Sequence, residues 1–78
     1  MKSVHSDAHR VVTKALKHAR EQAGLTQQDL ARRLNRPQSF VAKYEGGERR
    51  LDLVEFVTIA QAIGVNPIRL FSKIIKKF

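Results

Sequence analysis

Gln38, Ser39 and Lys43 are the residues of this chain whose types and spacing suit one definite chemistry, the reading of base edges in DNA. A glutamine presents a paired donor and acceptor that matches N6 and N7 of adenine in the major groove. A serine bonds either base class, and a lysine suits guanine O6 and N7 or a nearby phosphate. The spacing matters only if a helix carries the three. With Val41 at the centre of a buried face, Tyr44 falls about 60° away, while Ser39 and Lys43 fall at about 160° and 200°, directly opposite. Gln38, as the first residue of such a helix, reaches forward into a groove. The same side chains would also serve as an ordinary polar surface, and the angles alone do not separate the two readings. Phe40 lies on the flank, placed either to touch a thymine methyl or to pack against the edge of the core.

Groups suited to phosphate surround this segment. Gln27 lies in the first turn of a preceding helix, where free backbone N–H groups and the helix dipole favour anions. Arg36 comes just before the reading segment, and Gly47, Arg49 and Arg50 follow it on a Gly-Gly loop. Contacts of this kind supply most of the affinity for DNA and make it salt-dependent. Arg32 and Arg33 can add to them, or belong to a solvated helix face. Glu45 and Glu48 oppose the positive charge, and Glu45 is expected to be structural, paired with a neighbouring arginine.

The elements that must hold these residues follow from the run Leu25 to Glu45, LTQQDLARRLNRPQSFVAKYE. It reads as two short helices separated only by Asn35, Arg36 and Pro37, the break of a helix-turn-helix, a unit that presents its second helix to the major groove. Thr26 and Asp29 form a box-like start for the first of the pair, and Gly46 and Gly47 end the second. Upstream, a helix from about Asp7 to Ala23 has Val12, Leu16, Ala19 and Ala23 as its apolar stripe and stops at Gly24. Downstream, Asp52 and Glu55 start a helix with Leu53, Phe56, Ile59, Ala60 and Ile63 as core residues and Gly64 as its stop. Asn66 and Pro67 start a last helix over 67–77. Period-2 alternation is nowhere sustained. The expected architecture is all-α, a compact five-helix domain over residues 7–78 behind a flexible N-terminal tail at 1–6.

Composition agrees. The 78 residues suffice for one domain with a small core. Lys and Arg number 15 against 7 Asp and Glu, a net charge of +8 that favours a polyanionic partner, nucleic acid or an anionic membrane surface. Cysteine is absent, which excludes a disulfide framework and a Cys-based zinc site. There is no signal-like apolar run and no stretch of about 20 apolar residues, so a cytoplasmic location is expected.

From Leu16 to Phe71 the sequence resembles the lambda-repressor-like helix-turn-helix family, the Cro/C1 or Xre type. The resemblance is carried by Leu25-Thr26-Gln27, Leu30-Ala31, Val41, Glu45-x-Gly47, Leu53, Phe56, Ile59-Ala60, Ile63-Gly64-Val65 and Leu70. It implies a five-helix domain that binds double-stranded DNA, usually as a homodimer on a pseudo-palindromic operator. It also implies base contacts from Gln38 and Ser39, with Gln27 and Gln38 bracing each other between phosphate and adenine, and a further base-reading position at Lys43. Three departures stand out. Pro37 occupies a position where a capping Ser or Thr is common. Glu48 replaces a common Lys or Arg, which shifts phosphate binding to Arg49 and Arg50. Gln28 and Arg32 lack the acidic pair that some relatives present to RNA polymerase, which favours repression by occupancy over activation.

The last helix is two-faced, with Ile68, Leu70, Phe71, Ile74, Ile75 and Phe78 on one side and Arg69, Lys73, Lys76 and Lys77 on the other. A five-helix core needs Leu70, and Phe71, Ile74, Ile75 and Phe78 are expected to form a homodimer interface. Core packing and a membrane-surface helix are the other readings of this stripe. No paired nucleophile and base and no phosphate-cradling glycine loop is present, so neither an enzyme nor a cofactor is expected. His5 and His9 have the i, i+4 spacing of metal ligands but lack a third ligand, so no metal is expected. With most of the chain in one domain, control is expected through concentration, dimer assembly or a protein partner. The alternative function is a protein-interaction module, for example an antitoxin, that binds a partner protein and represses its own operon.

Overall fold

The computed structural model describes residues 4–78, with side chains from residue 8 onward. Five helices make up the described residues: α1 (Val4–Gln22), α2 (Gln27–Leu34), α3 (Gln38–Glu45), α4 (Leu53–Ile63) and α5 (Pro67–Ile75). Each start is fixed by local chemistry. Thr26 and Asp29 form both legs of a capping box, Asp29 N–H donating to Thr26 Oγ1 at 3.0 Å and Thr26 N–H to Asp29 Oδ2 at 2.9 Å. Asp52 and Glu55 repeat the arrangement at α4, with legs of 2.7 and 3.0 Å. At α5, Asn66 Oδ1 accepts from the amides of Ile68 and Arg69 and Pro67 occupies the first turn. Caps of this type contribute about 1 kcal/mol each. Pro37 precedes α3 without any side-chain cap. Gly64 ends α4 at φ +100°, a left-handed conformation that a side chain would strain.

Leu16, Leu30, Val41, Tyr44, Ile59 and Ile74, one or more from each helix, are almost fully buried and meet in a single core. Burial of such side chains stabilises by about 1.5–3 kcal/mol apiece. Helices α2 and α3 pack most extensively on each other, and α1 closes over α3. Helix α3 is thus gripped from two sides.

Five expectations differ from the structure. Helix α1 begins at Val4, so Val4, His5 and Ser6 belong to it rather than to a tail; residues 1–3 of that tail lie outside the described residues. Ala23 is exposed beyond the end of α1. Leu53, expected in the core, is 70% exposed, because as the first residue of α4 it lies ahead of the turn that meets the core. Ile74, expected at an interface, is 2% exposed and part of the core cluster: α5 rolls so that Ile74 itself faces inward. Helix α5 ends at Ile75, with Lys77 N–H closing onto the Ile74 carbonyl in a final turn. No single helix among the described residues is long and apolar enough to cross a membrane.

Candidate nucleic-acid interface

The exposed side of α3 presents Gln38, Ser39 and Lys43 together, opposite the buried Phe40, Val41 and Tyr44. Gln38 does not hang free. Its Nε2 donates to Gln27 Oε1 at 3.2 Å, and Gln27 Nε2 donates in turn to Glu45 Oε1 at 2.9 Å. The Glu45 carboxylate also accepts from Arg20, Nε to Oε2 at 2.8 Å and Nη2 to Oε1 at 3.0 Å. Arg20 Nη1 closes the array onto the Leu25 carbonyl at 2.7 Å. Four side chains from α1, α2 and both ends of α3 therefore form one connected relay with Gln38 at its outer tip.

The inner end of the relay is dry. The side chains of Arg20 and Glu45 are 9% and 2% exposed, and the hydrogen bonds to Glu45 raise the Arg20 guanidinium above its ordinary range, so it stays charged. A two-point guanidinium–carboxylate contact fixes direction as well as distance. Glu45 is held on one side by Arg20, and its Oε1 accepts from the Gln27 amide nitrogen. The Gln27 oxygen then points at Gln38, whose own carbonyl oxygen and second amide hydrogen remain available, the two groups an adenine requires.

Around Phe40 the structure departs from one of the two sequence readings. Phe40 is 7% exposed and packs edge-on against Tyr44, with ring centroids 5.4 Å apart. The guanidinium carbons of Arg36 and Arg49 lie 4.3 and 4.8 Å from its ring centroid. The base or edge contact considered for Phe40 is therefore replaced by core packing, since cations and core atoms cover the ring. Both arginines also face Glu55, Arg49 Nη2 at 2.9 Å and Arg36 Nη2 at 3.7 Å from Oε2. The hydrogen bond from Arg49 holds the Glu55 carboxyl below its usual range. The pair is thereby organised at one edge of α3, with Arg49 Nη1 also donating to Glu55 Oε1 at 3.0 Å and to the Arg50 carbonyl at 2.9 Å.

The remaining phosphate candidates separate. Arg50 is exposed, as is Arg36, and Gln27 is half-buried within the relay. Gly47 has only its amide to offer, and that N–H is donated to the Tyr44 carbonyl at 3.2 Å. The contact expected of Gly47 thus gives way to a turn role, at φ +82°. Arg33 is engaged elsewhere, its Nη1 donating to the Ala62 carbonyl at 2.9 Å. Arg32 faces Asp29 at 3.7 Å on the solvated side of α2, an exposed pair of little energetic consequence.

His9 Nε2 accepts the Leu51 amide at 3.2 Å, which removes that nitrogen from any metal-binding pair with His5, whose side chain lies outside the described residues. Among the described residues no three His, Cys, Asp or Glu side chains converge to hold a metal. Sequence reasoning missed Arg20 and Glu55 as organisers of the site. Arg20 in an otherwise apolar stripe of α1 was the available signal.

Comparison with known proteins agrees with this fold. Residues 14–70 match the family model of a helix-turn-helix domain. The chain is 45% identical to an XRE-family like protein from Pseudomonas syringae pv. tomato str. DC3000, with a TM-score of 0.89 over 97% of this chain and 93% of that one. It is 31% identical to the restriction-modification controller protein C.AhdI from Aeromonas hydrophila, with a TM-score of 0.71 over 83% of this chain and 97% of that one. It is 26% identical to the controller protein C.Esp1396I, seen as a tetramer in complex with its natural 35 base-pair operator, with a TM-score of 0.82 over 90% of this chain and 92% of that one. No curated protein sequence is similar enough to the chain to count as a match. The chain belongs to the XRE family of helix-turn-helix proteins, the Cro/C1 type.

Proposed function

We propose that this DNA-binding regulator is a repressor that acts as a homodimer on a pseudo-palindromic operator, inserting α3 into the major groove. The observation that carries the reading is the exposed Gln38 held by Gln27 at the end of a buried ion pair. A base-reading amide with its orientation set before contact spends less binding free energy on ordering. Gln38 reads an adenine, Ser39 and Lys43 read the neighbouring positions, and Arg36, Arg49 and Arg50 grip the flanking phosphates. Gln27 serves both phosphate and Gln38.

Dimerisation uses the exposed apolar residues Phe71, Ile75 and Phe78, which are 46%, 49% and 69% exposed, joined by Leu53. Exposed apolar residues gathered on one edge favour an interaction surface. The controller proteins similar to this chain, one of them a tetramer on its operator, support a regulator that works by assembling on DNA. Repression by occupying a promoter fits Gln28 and Arg32, which give α2 no acidic pair. The regulator works where its DNA is, in the cytoplasm.

Selection of bound duplexes from a random library tests the proposal. A two-fold sequence with half-sites about one helical turn apart is the expected result. Retention that depends on salt but not on sequence would contradict it.

A further inference from the structure

Helix α5 has two different edges. About 60° and 100° to one side of the buried Ile74 lie Phe71 and Ile75, the apolar edge assigned to self-association. About 40° and 100° to the other side lie Leu70 and Lys73. This second edge, with the outer face of α1, borders a groove of about 640 Å³, within the range of pockets that hold ligands. Its floor is apolar, made by Val11, Ala15 and Leu70 over Ile74, and its rim is basic, with Lys14, Lys73 and Lys77 facing across it. Lys17 is a fourth lysine, and Glu21 is the one carboxylate among the lining residues.

We propose that this groove docks an acidic amphipathic segment of a partner protein. The floor calls for apolar side chains and the rim for carboxylates, a combination met by a short helix with apolar residues on one face and Asp or Glu beside them. A phosphate backbone would satisfy the lysines but make no use of the apolar surface that the half-buried Val11, Ala15 and Leu70 leave open. Position argues the same way. Lys14 and His18 lie about 160° around α1 from Leu16, whereas Arg20, near Leu16 on the wheel, is the residue that reaches α3. The groove therefore opens away from Gln38, Ser39 and Lys43, and away from the apolar edge of α5. The groove lies clear of both surfaces proposed above for DNA and for self-association, so the regulator can hold its operator and a protein at once.

Random 14-residue peptides displayed on their mRNAs, selected on the full chain and counter-selected on Lys14→Glu/Lys73→Glu, provide the test. Both lysines are exposed, and Lys77→Glu, beyond the end of α5, provides a second variant that leaves every helix untouched. The expected winners carry Asp or Glu beside apolar residues spaced by three or four. They perturb the amide signals of Val11, Ala15 and Leu70, and they bind at least tenfold more weakly to either variant, while affinity for the selected duplex changes less than twofold. Failure to enrich, winners without acidic residues, or signals perturbed instead at α3 or at Phe71 and Ile75 would overturn the proposal. Equal weakening of random-sequence duplex binding would make the groove a nucleic-acid track, and loss of binding to phosphatidylserine vesicles would make it a membrane contact; either result also overturns it.

Discussion

The guanidinium of Arg20 meets the carboxylate of Glu45 at two points, 2.8 and 3.0 Å, across 25 residues of sequence. This contact ties α1 to the end of α3, and through Gln27 it reaches the exposed Gln38. Stability and the recognition proposed for Gln38 therefore depend on one buried ion pair.

Breaking that pair from one side strands a charge in the interior. Arg20→Met and Glu45→Met are each expected to lose about 3 kcal/mol in urea denaturation. The double variant Arg20→Met/Glu45→Met is expected to be more stable than either single one, because no buried charge is left alone. It should still read its operator poorly, with Gln27 unanchored. Strict additivity of the two losses would show that the pair is not coupled.

Tyr44 is fully buried, and its hydroxyl has no hydrogen-bond partner among the described residues. Burial pushes its ionisation above the usual phenolic range, so the hydroxyl stays neutral. An unpaired buried hydroxyl destabilises, and its removal leaves the ring packing on Phe40 intact. Tyr44→Phe is expected to be as stable as the parent or more so, by up to about 1 kcal/mol. A loss above 1 kcal/mol in thermal denaturation would mean that the hydroxyl has a partner.

His9 accepts the Leu51 amide as a neutral imidazole. Burial, then the nearby Arg50, lowers its pKa below the ordinary 6.5. The unfolded chain therefore binds more protons than the folded one in this window, and stability rises with pH. The contribution is complete above about pH 6.5 and is lost as pH falls through the lower folded value. Denaturation midpoints between pH 5 and pH 8 should show this slope for the parent and a flatter one for His9→Ala. Identical profiles would remove His9 from the account.

Neighbouring residues of α5 are expected to behave oppositely. Ile74→Ala opens a cavity in the core and should lose about 3 kcal/mol. Ile75→Asp with Phe78→Asp should leave the fold intact and convert the dimer to monomer in sedimentation. An unchanged sedimentation coefficient would sink the assignment of this edge.

How far the sequence could be read depends on the range of each interaction. The caps at Thr26, Asp52 and Asn66 are legible because donor and acceptor lie within three residues. The helix-turn-helix is legible because Asn35, Arg36 and Pro37 leave room only for a turn. The exposed trio of Gln38, Ser39 and Lys43 follows from the helical period once Val41 is placed inside. The roles of Ile74 and Leu53 do not follow, since a helical wheel gives directions but not the neighbour found there. Arg20 escaped notice because its partner lies 25 residues away. Phe40 stayed open because the arginines that cover it, Arg36 and Arg49, lie outside its helix.

The central claim is that Gln38, held by Gln27, reads a base. The most direct measurement compares affinities at matched salt for the selected duplex and for one changed at the single base pair under Gln38, with the parent and Gln38→Ala. The parent is expected to prefer the unaltered duplex by about 1–3 kcal/mol. Gln38→Ala is expected to bind both duplexes equally, with its salt dependence unchanged. A preference of the same size in Gln38→Ala would show that Gln38 does not read that base.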